Sequence, residues 1–122
     1  MIVALPKPVF LSANDRLHWA EKARRTRTIR ALAMLDARER DPAPIPCLVD
    51  VTIHRPRGGT LRDAENAAPT VKACLDGCRD AGLLADDDRK HVVAITYRIA
   101  PKNRADNQYG IELNFIPQEV PF

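Results

Sequence analysis

The sequence has few cysteines, few aromatic residues and no long apolar run. Its three cysteines, at positions 47, 74 and 78, are an odd number and do not form a disulfide framework. Aromatic residues make up only 5% of the chain, so we expect a core built from Leu, Val, Ile and Ala. No apolar stretch approaches the ~20 residues of a membrane-spanning helix, and the N-terminus lacks the features of a secretory signal. These absences predict a soluble, cytoplasmic protein without a membrane partner.

The length and composition are those of one globular domain. The 122 residues have a mass of 13.6 kDa, of which 45% are hydrophobic and 29% charged. A chain of this size has no room for a second sizeable core, so we expect a single domain over residues 1–122. Ten prolines against five glycines indicate stiff loops.

The apolar pattern predicts four strands and two helices. In chain order we expect a strand at 2–5, a helix at 16–38, a strand at 48–53, a helix at 69–81, and strands at 91–99 and 109–116. Asn14 or Asp15 is placed to cap the first helix, Pro69 to start the second and Gly82 to end it. This order predicts a small α/β domain, in which two helices pack on a mixed β-sheet of about four strands.

The charges are distributed unevenly along the chain. Residues 16–30 contain six basic side chains against Glu21 alone, whereas residues 76–88 contain five aspartates against Arg79 alone. A basic segment beside an acidic cluster is typical of a polyanion-binding protein that also holds a cation. The alternative is that both segments are ordinary solvated surface.

Candidate catalytic residues concentrate between Leu61 and His91. If residues 62–66 are extended, Asp63 and Glu65 project to the same side of the backbone and can approach one ion together. A further carboxylate from residues 86–88 completes an all-oxygen site, which suits Mg²⁺, with Mn²⁺ as a substitute. Lys72 on the intervening helix can neutralise charge on a phosphate. The alternative is that these aspartates are helix caps and turn formers.

This segment resembles the RusA family of Holliday junction resolvases. That family carries an Asp-x-Asp-Asn motif, a helix bearing Lys, and then an Asp-Asp pair. The matching features here are Asp63-Ala64-Glu65-Asn66, Lys72 with Asp76 four residues later, Gly82, Asp86-Asp87, and the entry into the first helix over residues 12–18. Glu65 stands where the commonest motif has Asp, and the path from Asn66 to Lys72 is longer than in the simplest members.

The resemblance implies a RusA-like fold and a Mg²⁺-dependent endonuclease that resolves four-way DNA junctions by paired nicks. It implies that Asp63, Glu65 and Asp87, with Asp86, are metal ligands, and that Lys72 is the catalytic lysine. We expect DNA contacts from Asn14, Arg16, Arg24, Arg25, Arg27, Arg30 and Arg62. A four-way junction has approximate two-fold symmetry and the chain has one acidic cluster, so we expect a homodimer. The alternative function is a non-catalytic or weakly catalytic module that binds DNA junctions.

Other residues have more than one interpretation. Cys74 and Cys78 lie four apart on one helix face, where burial in the core is the ordinary role and a zinc site the alternative. His18 and Trp19 could contact DNA, although a Trp at this position usually belongs to the core. His91 is placed either beside the metal or on a strand surface.

Overall fold

The computed structural model describes residues 1–119 and contains one four-stranded sheet with two α-helices. The elements in chain order are β1 (Ile2–Pro6), α1 (Trp19–Ala37), β2 (Cys47–His54), α2 (Ala68–Asp80), β3 (Val92–Ile99) and β4 (Gln108–Pro117). Short 3-10 helices lie at Lys7–Val9 and Ala64–Ala67. In this part of the chain, neither α-helix combines the length and the apolar character needed to cross a bilayer.

The sheet is mixed, as the element order predicts. Its strands lie in the order β1-β4-β2-β3, in which β4 is antiparallel to both β1 and β2, and β2 is parallel to β3. Parallel neighbours need a crossover connection, and α2 with the loops around it supplies the one between β2 and β3. The predicted α/β fold class is therefore confirmed.

The core lies between the two helices and one face of the sheet. Strand β2 shows the alternation most clearly, with Cys47, Val49, Val51 and Ile53 fully buried and the intervening residues partly exposed. Helix α1 contributes Ile29, Ala33 and Ala37, and α2 contributes a wider buried face that includes Val71, Cys74, Leu75 and Cys78. Period-2 burial in the strand explains why its pattern predicts the element so well.

Helix α1 begins at Trp19, three residues later than predicted, and neither Asn14 nor Asp15 caps it. The Asp15 carboxylate accepts instead from the backbone N–H of Ser12 at 2.8 Å, which closes the preceding turn. His18 takes the capping position, where its Nδ1 accepts from the N–H of Ala20 at 3.2 Å. A short acidic side chain can serve a turn as readily as a helix, so sequence alone did not distinguish the two roles.

The two helices pack closely because Gly77 leaves room for the backbone of α1. A Cβ added at Gly77 would lie 2.4 Å from the carbonyl oxygen of Arg30, which is too close for any side chain. The Arg30 guanidinium also reaches across to α2 and donates to both carboxylate oxygens of Asp80, at 2.5 and 2.7 Å. These contacts hold α2 in place beside α1.

Helix α2 starts and ends as the sequence predicts. Pro69 occupies its first turn, and Gly82, at φ +80°, follows its last residues in the left-handed region that glycine favours. The N–H groups of Leu83 and Leu84 both donate back to the Cys78 carbonyl, and the two leucine side chains are buried. The chain is thereby turned back, so that residues 85–91 return toward the helix.

Candidate active site

Lys72 lies at the centre of a group of charged residues formed by α2 and the loop that follows it. Its Nζ donates to Asp76 Oδ1 at 3.0 Å, one helical turn away, and to Asp87 Oδ2 in the loop. Lysine Nζ has three protons to donate, so both carboxylates can be satisfied together. We call the group formed by Lys72, Asp76, Arg79, Asp86 and Asp87 the Lys72 cluster.

Arg79 is the second cation of the Lys72 cluster. Its guanidinium nitrogens lie 3.8 Å from Asp86 Oδ1, 3.9 Å from Asp87 Oδ1 and 3.9 Å from Asp76 Oδ1. These distances are too long for strong hydrogen bonds, so its effect on the carboxylates is mainly electrostatic. Asp86 also accepts from the backbone N–H of Asp87 at 2.7 Å, which orders the loop.

The carboxylates of the Lys72 cluster are more enclosed than its lysine. The side chains of Asp76 and Asp87 are 16% and 19% exposed, whereas Lys72 is 59% exposed. The hydrogen bond from Lys72 lowers the pKa of Asp87, and the hydrogen bond to Asp87 raises the pKa of Lys72. At neutral pH the pair is therefore charged, with the ammonium open to solvent.

Asp63 and Glu65 lie at the other end of α2 from Asp80. Asp63 is extended, but Glu65 lies within the 3-10 helix at Ala64–Ala67. The prediction of an extended segment over 62–66 is therefore wrong, and with it the argument that both side chains project to one side. Glu65 lies close enough to Tyr97 on β3 to raise the pKa of that phenol, although burial is the larger cause.

The predicted metal ligands do not form a single group in this arrangement. Within residues 1–119, no three His, Cys, Asp or Glu side chains lie close enough to hold an ion, and no hydrogen bond or ion pair joins Asp63 or Glu65 to the Lys72 cluster. The carboxylates that do converge are those of Asp76 and Asp87. Mg²⁺ is commonly held by one or two carboxylates, with water and substrate phosphate as the remaining ligands. Asp76 and Asp87 supply two carboxylates of this kind, and both are hydrogen-bonded to Lys72.

The loop residue Asp88 forms its hydrogen bonds within the loop and not with Lys72. Its carboxylate contacts His91 Nδ1 at 2.6 Å and accepts from the N–H groups of Lys90 and His91. The hydrogen bond with His91 lowers the pKa of Asp88. His91 precedes the first residue of β3, so it belongs to this loop rather than to a strand surface.

Asp76 and Arg79 are site residues to which the sequence analysis assigned no role. The spacing of Lys72 and Asp76 places them on one face of a helix, and this spacing was the available signal. Arg79 lies one turn beyond Asp76 on the same side. Their contact with a loop residue at position 87 depends on the turn at Gly82, which spacing alone does not reveal.

The basic residues of α1 fall into two groups. Arg24 and Arg25 both donate to Glu21, whose pKa these hydrogen bonds lower to about 2, and Arg30 donates to Asp80. The side chain of Arg27 is exposed and has no hydrogen bond or ion pair within residues 1–119. The same holds for the side chains of the other predicted DNA contacts outside the helix, Asn14, Arg16 and Arg62. Among the α1 arginines, Arg27 is thus the free cation.

Two further interpretations are settled by burial. Trp19 is 76% exposed, so it is not a core residue, and its ring lies tilted against His18 with centroids 5.5 Å apart. Cys74 and Cys78 are fully buried free thiols, and burial raises the pKa of both, that of Cys78 to about 12. They pack as small hydrophobic side chains, as predicted.

Neither protein-family models nor curated proteins give a match to this chain.

Proposed function

We propose that this chain is a Mg²⁺-dependent endonuclease that resolves four-way DNA junctions. The observation that carries the proposal is the convergence of Asp76 and Asp87, from a helix and a separate loop, on one solvent-exposed lysine ammonium. The order of acidic motif, lysine helix and Asp-Asp pair, which resembles the RusA family, gives the reaction class. Carboxylates that hold a cation beside an exposed lysine suit phosphodiester hydrolysis.

The residues that would hold Mg²⁺ are Asp87 and Asp86, with Asp76 beside them. Asp63 and Glu65, which the resemblance to the RusA family also implies as ligands, precede α2 and do not form one group with these carboxylates. When bound, the ion supplies Lewis-acid stabilisation of the phosphate and polarises a water molecule. Lys72 keeps its positive charge at the open side of the carboxylates, where a DNA phosphate approaches. Arg79 offsets the repulsion among the three neighbouring aspartates.

DNA affinity in this proposal comes from basic side chains outside the Lys72 cluster. Arg16, Arg27 and Arg62 are exposed, and within residues 1–119 none of them forms an ion pair with a carboxylate. Binding through such residues releases counterions from DNA and therefore weakens steeply as salt rises.

Paired nicking of a junction with two-fold symmetry requires two cleavage sites, which a homodimer would supply.

A non-catalytic junction-binding module is the second candidate. The observation that favours it is that Lys72 already lies between the two converging carboxylates, while no hydrogen bond or ion pair joins Asp63 or Glu65 to the Lys72 cluster. In such a protein the lysine would take the place of the metal ion as the counter-charge. Both candidates share the basic surface and differ only in cleavage.

The test uses purified protein and labelled synthetic four-way junctions, with Mg²⁺ and with EDTA. We expect two symmetric nicks that appear only with Mg²⁺, and light scattering at the same concentration should give the mass of a dimer. Junction binding without any nicks would establish the binding module instead. A monomer that still makes paired nicks would contradict the homodimer.

A further inference from the structure

Two loops meet at the end of the sheet from which β2 and β3 lead out. Because β2 and β3 are parallel and β4 is antiparallel to β2, the segment after β2 lies beside the connection between β3 and β4. We call residues 55–62 and 100–107 together the loop pair. The first of these loops leads directly into the 3-10 helix at Ala64–Ala67 and then into α2.

Backbone hydrogen bonds join the loop pair into one unit. The N–H of Arg104 donates to the Arg55 carbonyl at 2.8 Å, and the N–H of Arg57 donates to the Asp106 carbonyl at 2.8 Å. The Asn103 side-chain amide adds a bond to the Gly59 carbonyl at 3.1 Å. The side chains of the loop pair are therefore presented from an ordered surface, which lowers the entropy cost of binding.

The loop pair is strongly basic. It holds five cations, Arg55, Arg57, Arg62, Lys102 and Arg104, against one acid, Asp106. The carboxylate of Asp106 is used by Arg104, which donates to both of its oxygens at 2.8 Å. The side chains of Arg57 and Lys102 are exposed and have no acceptor within residues 1–119, and the buried Nε of Arg55 has none either. Arg57 also lines a cleft of about 320 Å³ with Ala105, Asp106 and Asn107.

We propose that the loop pair binds the sugar-phosphate backbone of duplex DNA, as a surface separate from α1 and from the Lys72 cluster. This inference rests on the proposed function, because that function makes DNA the polyanion. No large exposed hydrophobic side chain lies in either loop, whereas protein interfaces usually bury such anchors. Charges without apolar anchors suit a repeating phosphate ligand. The first loop leads toward the start of α2, and Lys72 lies roughly 6 Å along the helix axis from that start.

The test is fluorescence anisotropy with a labelled duplex and a labelled four-way junction, in EDTA, over a range of salt concentrations. The test variant is the double substitution Arg57→Gln with Lys102→Gln. The matched control, Lys7→Gln with Arg38→Gln, also removes one lysine and one arginine, both of them exposed and without a side-chain partner within residues 1–119. A third variant, Arg57→Lys with Lys102→Arg, keeps both charges. Melting temperatures establish that each variant is folded.

We expect the test variant to bind both DNAs about tenfold or more weakly near 100 mM salt, with a log–log salt slope smaller by one to two units. The control and the charge-conserving variant should match the parent. Unchanged binding of both DNAs by the test variant overturns the inference. Cleavage in Mg²⁺ is scored separately. If the parent never nicks but the test variant loses DNA binding, the loop pair is supported and the endonuclease is refuted. If the parent nicks but the test variant binds DNA like the parent, the endonuclease is supported and the loop pair is refuted.

Discussion

Lys72 and Asp87 are in direct hydrogen-bonded contact although fifteen residues separate them in the chain. The contact joins the exposed side of α2 to the acidic loop that precedes β3. The contact raises the pKa of Lys72 and lowers the pKa of Asp87, so that both charged forms are favoured. In the proposed endonuclease we therefore expect single substitutions in this pair to change the cleavage rate most.

Replacing Lys72 by Ala should slow cleavage while DNA binding persists. Loss of one positioned charge next to the reacting phosphate costs ~10²–10³ in rate. Single-turnover nicking of a junction in Mg²⁺ measures this. The control is Lys90→Ala, because Lys90 is an exposed lysine of the same acidic loop whose side chain has no partner within residues 1–119. Equal rates for the two variants would assign Lys72 to ordinary helix surface.

Asp87→Asn should abolish cleavage, and Asp88→Asn should leave it measurable. The two residues are adjacent, but Asp87 contacts Lys72 whereas Asp88 contacts His91. The amide keeps the shape of the side chain and removes the charge that a metal ion requires. Junction binding in EDTA should be unchanged in both variants, because affinity comes mostly from basic residues. An active Asp87→Asn would show that this carboxylate holds no metal.

Glu65 tests the acidic motif at the start of α2. If Glu65 is a ligand, Glu65→Gln should remove cleavage, whereas Glu65→Asp should retain activity because it restores the commoner motif. Mn²⁺ should narrow the difference between Glu and Asp. Nicking rates in both ions measure this. Since no hydrogen bond or ion pair joins Glu65 to the Lys72 cluster, a Glu65→Gln variant that cuts like the parent would confine the site to that cluster.

Free and paired arginines should contribute differently to DNA binding. Neutralising the free residues, Arg16→Gln with Arg27→Gln, should reduce the log–log salt slope by about one to two units. The matched variant, Arg24→Gln with Arg30→Gln, removes charges that Glu21 and Asp80 already offset, so its slope should change less. Anisotropy titrations with duplex DNA compare them. Identical slopes would mean that the ion pairs open on binding.

The Lys72–Asp87 pair should also be visible in acid unfolding. The folded-state pKa of Asp87 is lowered, so its stabilisation is present above the ordinary carboxyl pKa of ~3.9 and is lost as pH falls through the lowered value. Parent and Asp87→Asn should differ near pH 6, by less than about 1 kcal/mol because solvent screens the pair, and converge in strong acid. Urea unfolding measures this, with Asp41→Asn, an exposed aspartate, as control. A constant difference down to about pH 2 would exclude the ion pair as its cause.

Local chemistry predicted the regular elements well and the start of α1 poorly. Pro69 and Gly82 bound α2 as expected, because one residue presets a helical φ and the other tolerates a positive one. Asp15 closes a turn and leaves the capping position to His18, since both uses satisfy a short carboxylate equally. Trp19 was expected in the core but is exposed, because it lies at the start of α1, whereas the buried residues of that helix begin at Ile29.

Four strands, two helices, the burial of the thiols and the acidic composition of the loop after α2 could all be predicted from the order of residues. Alternating burial and helix propensity are local properties, so the order of residues predicts the elements that depend on them. Packing between distant segments brings Asp76 and Asp87 to the same lysine, Lys72, and leaves Asp63 and Glu65 without a hydrogen bond to that lysine. This arrangement depends on the turn at Gly82 and on the buried anchors Leu83 and Leu84, which return the loop along the helix. Such a return is set by packing between distant segments, which no spacing in the chain records.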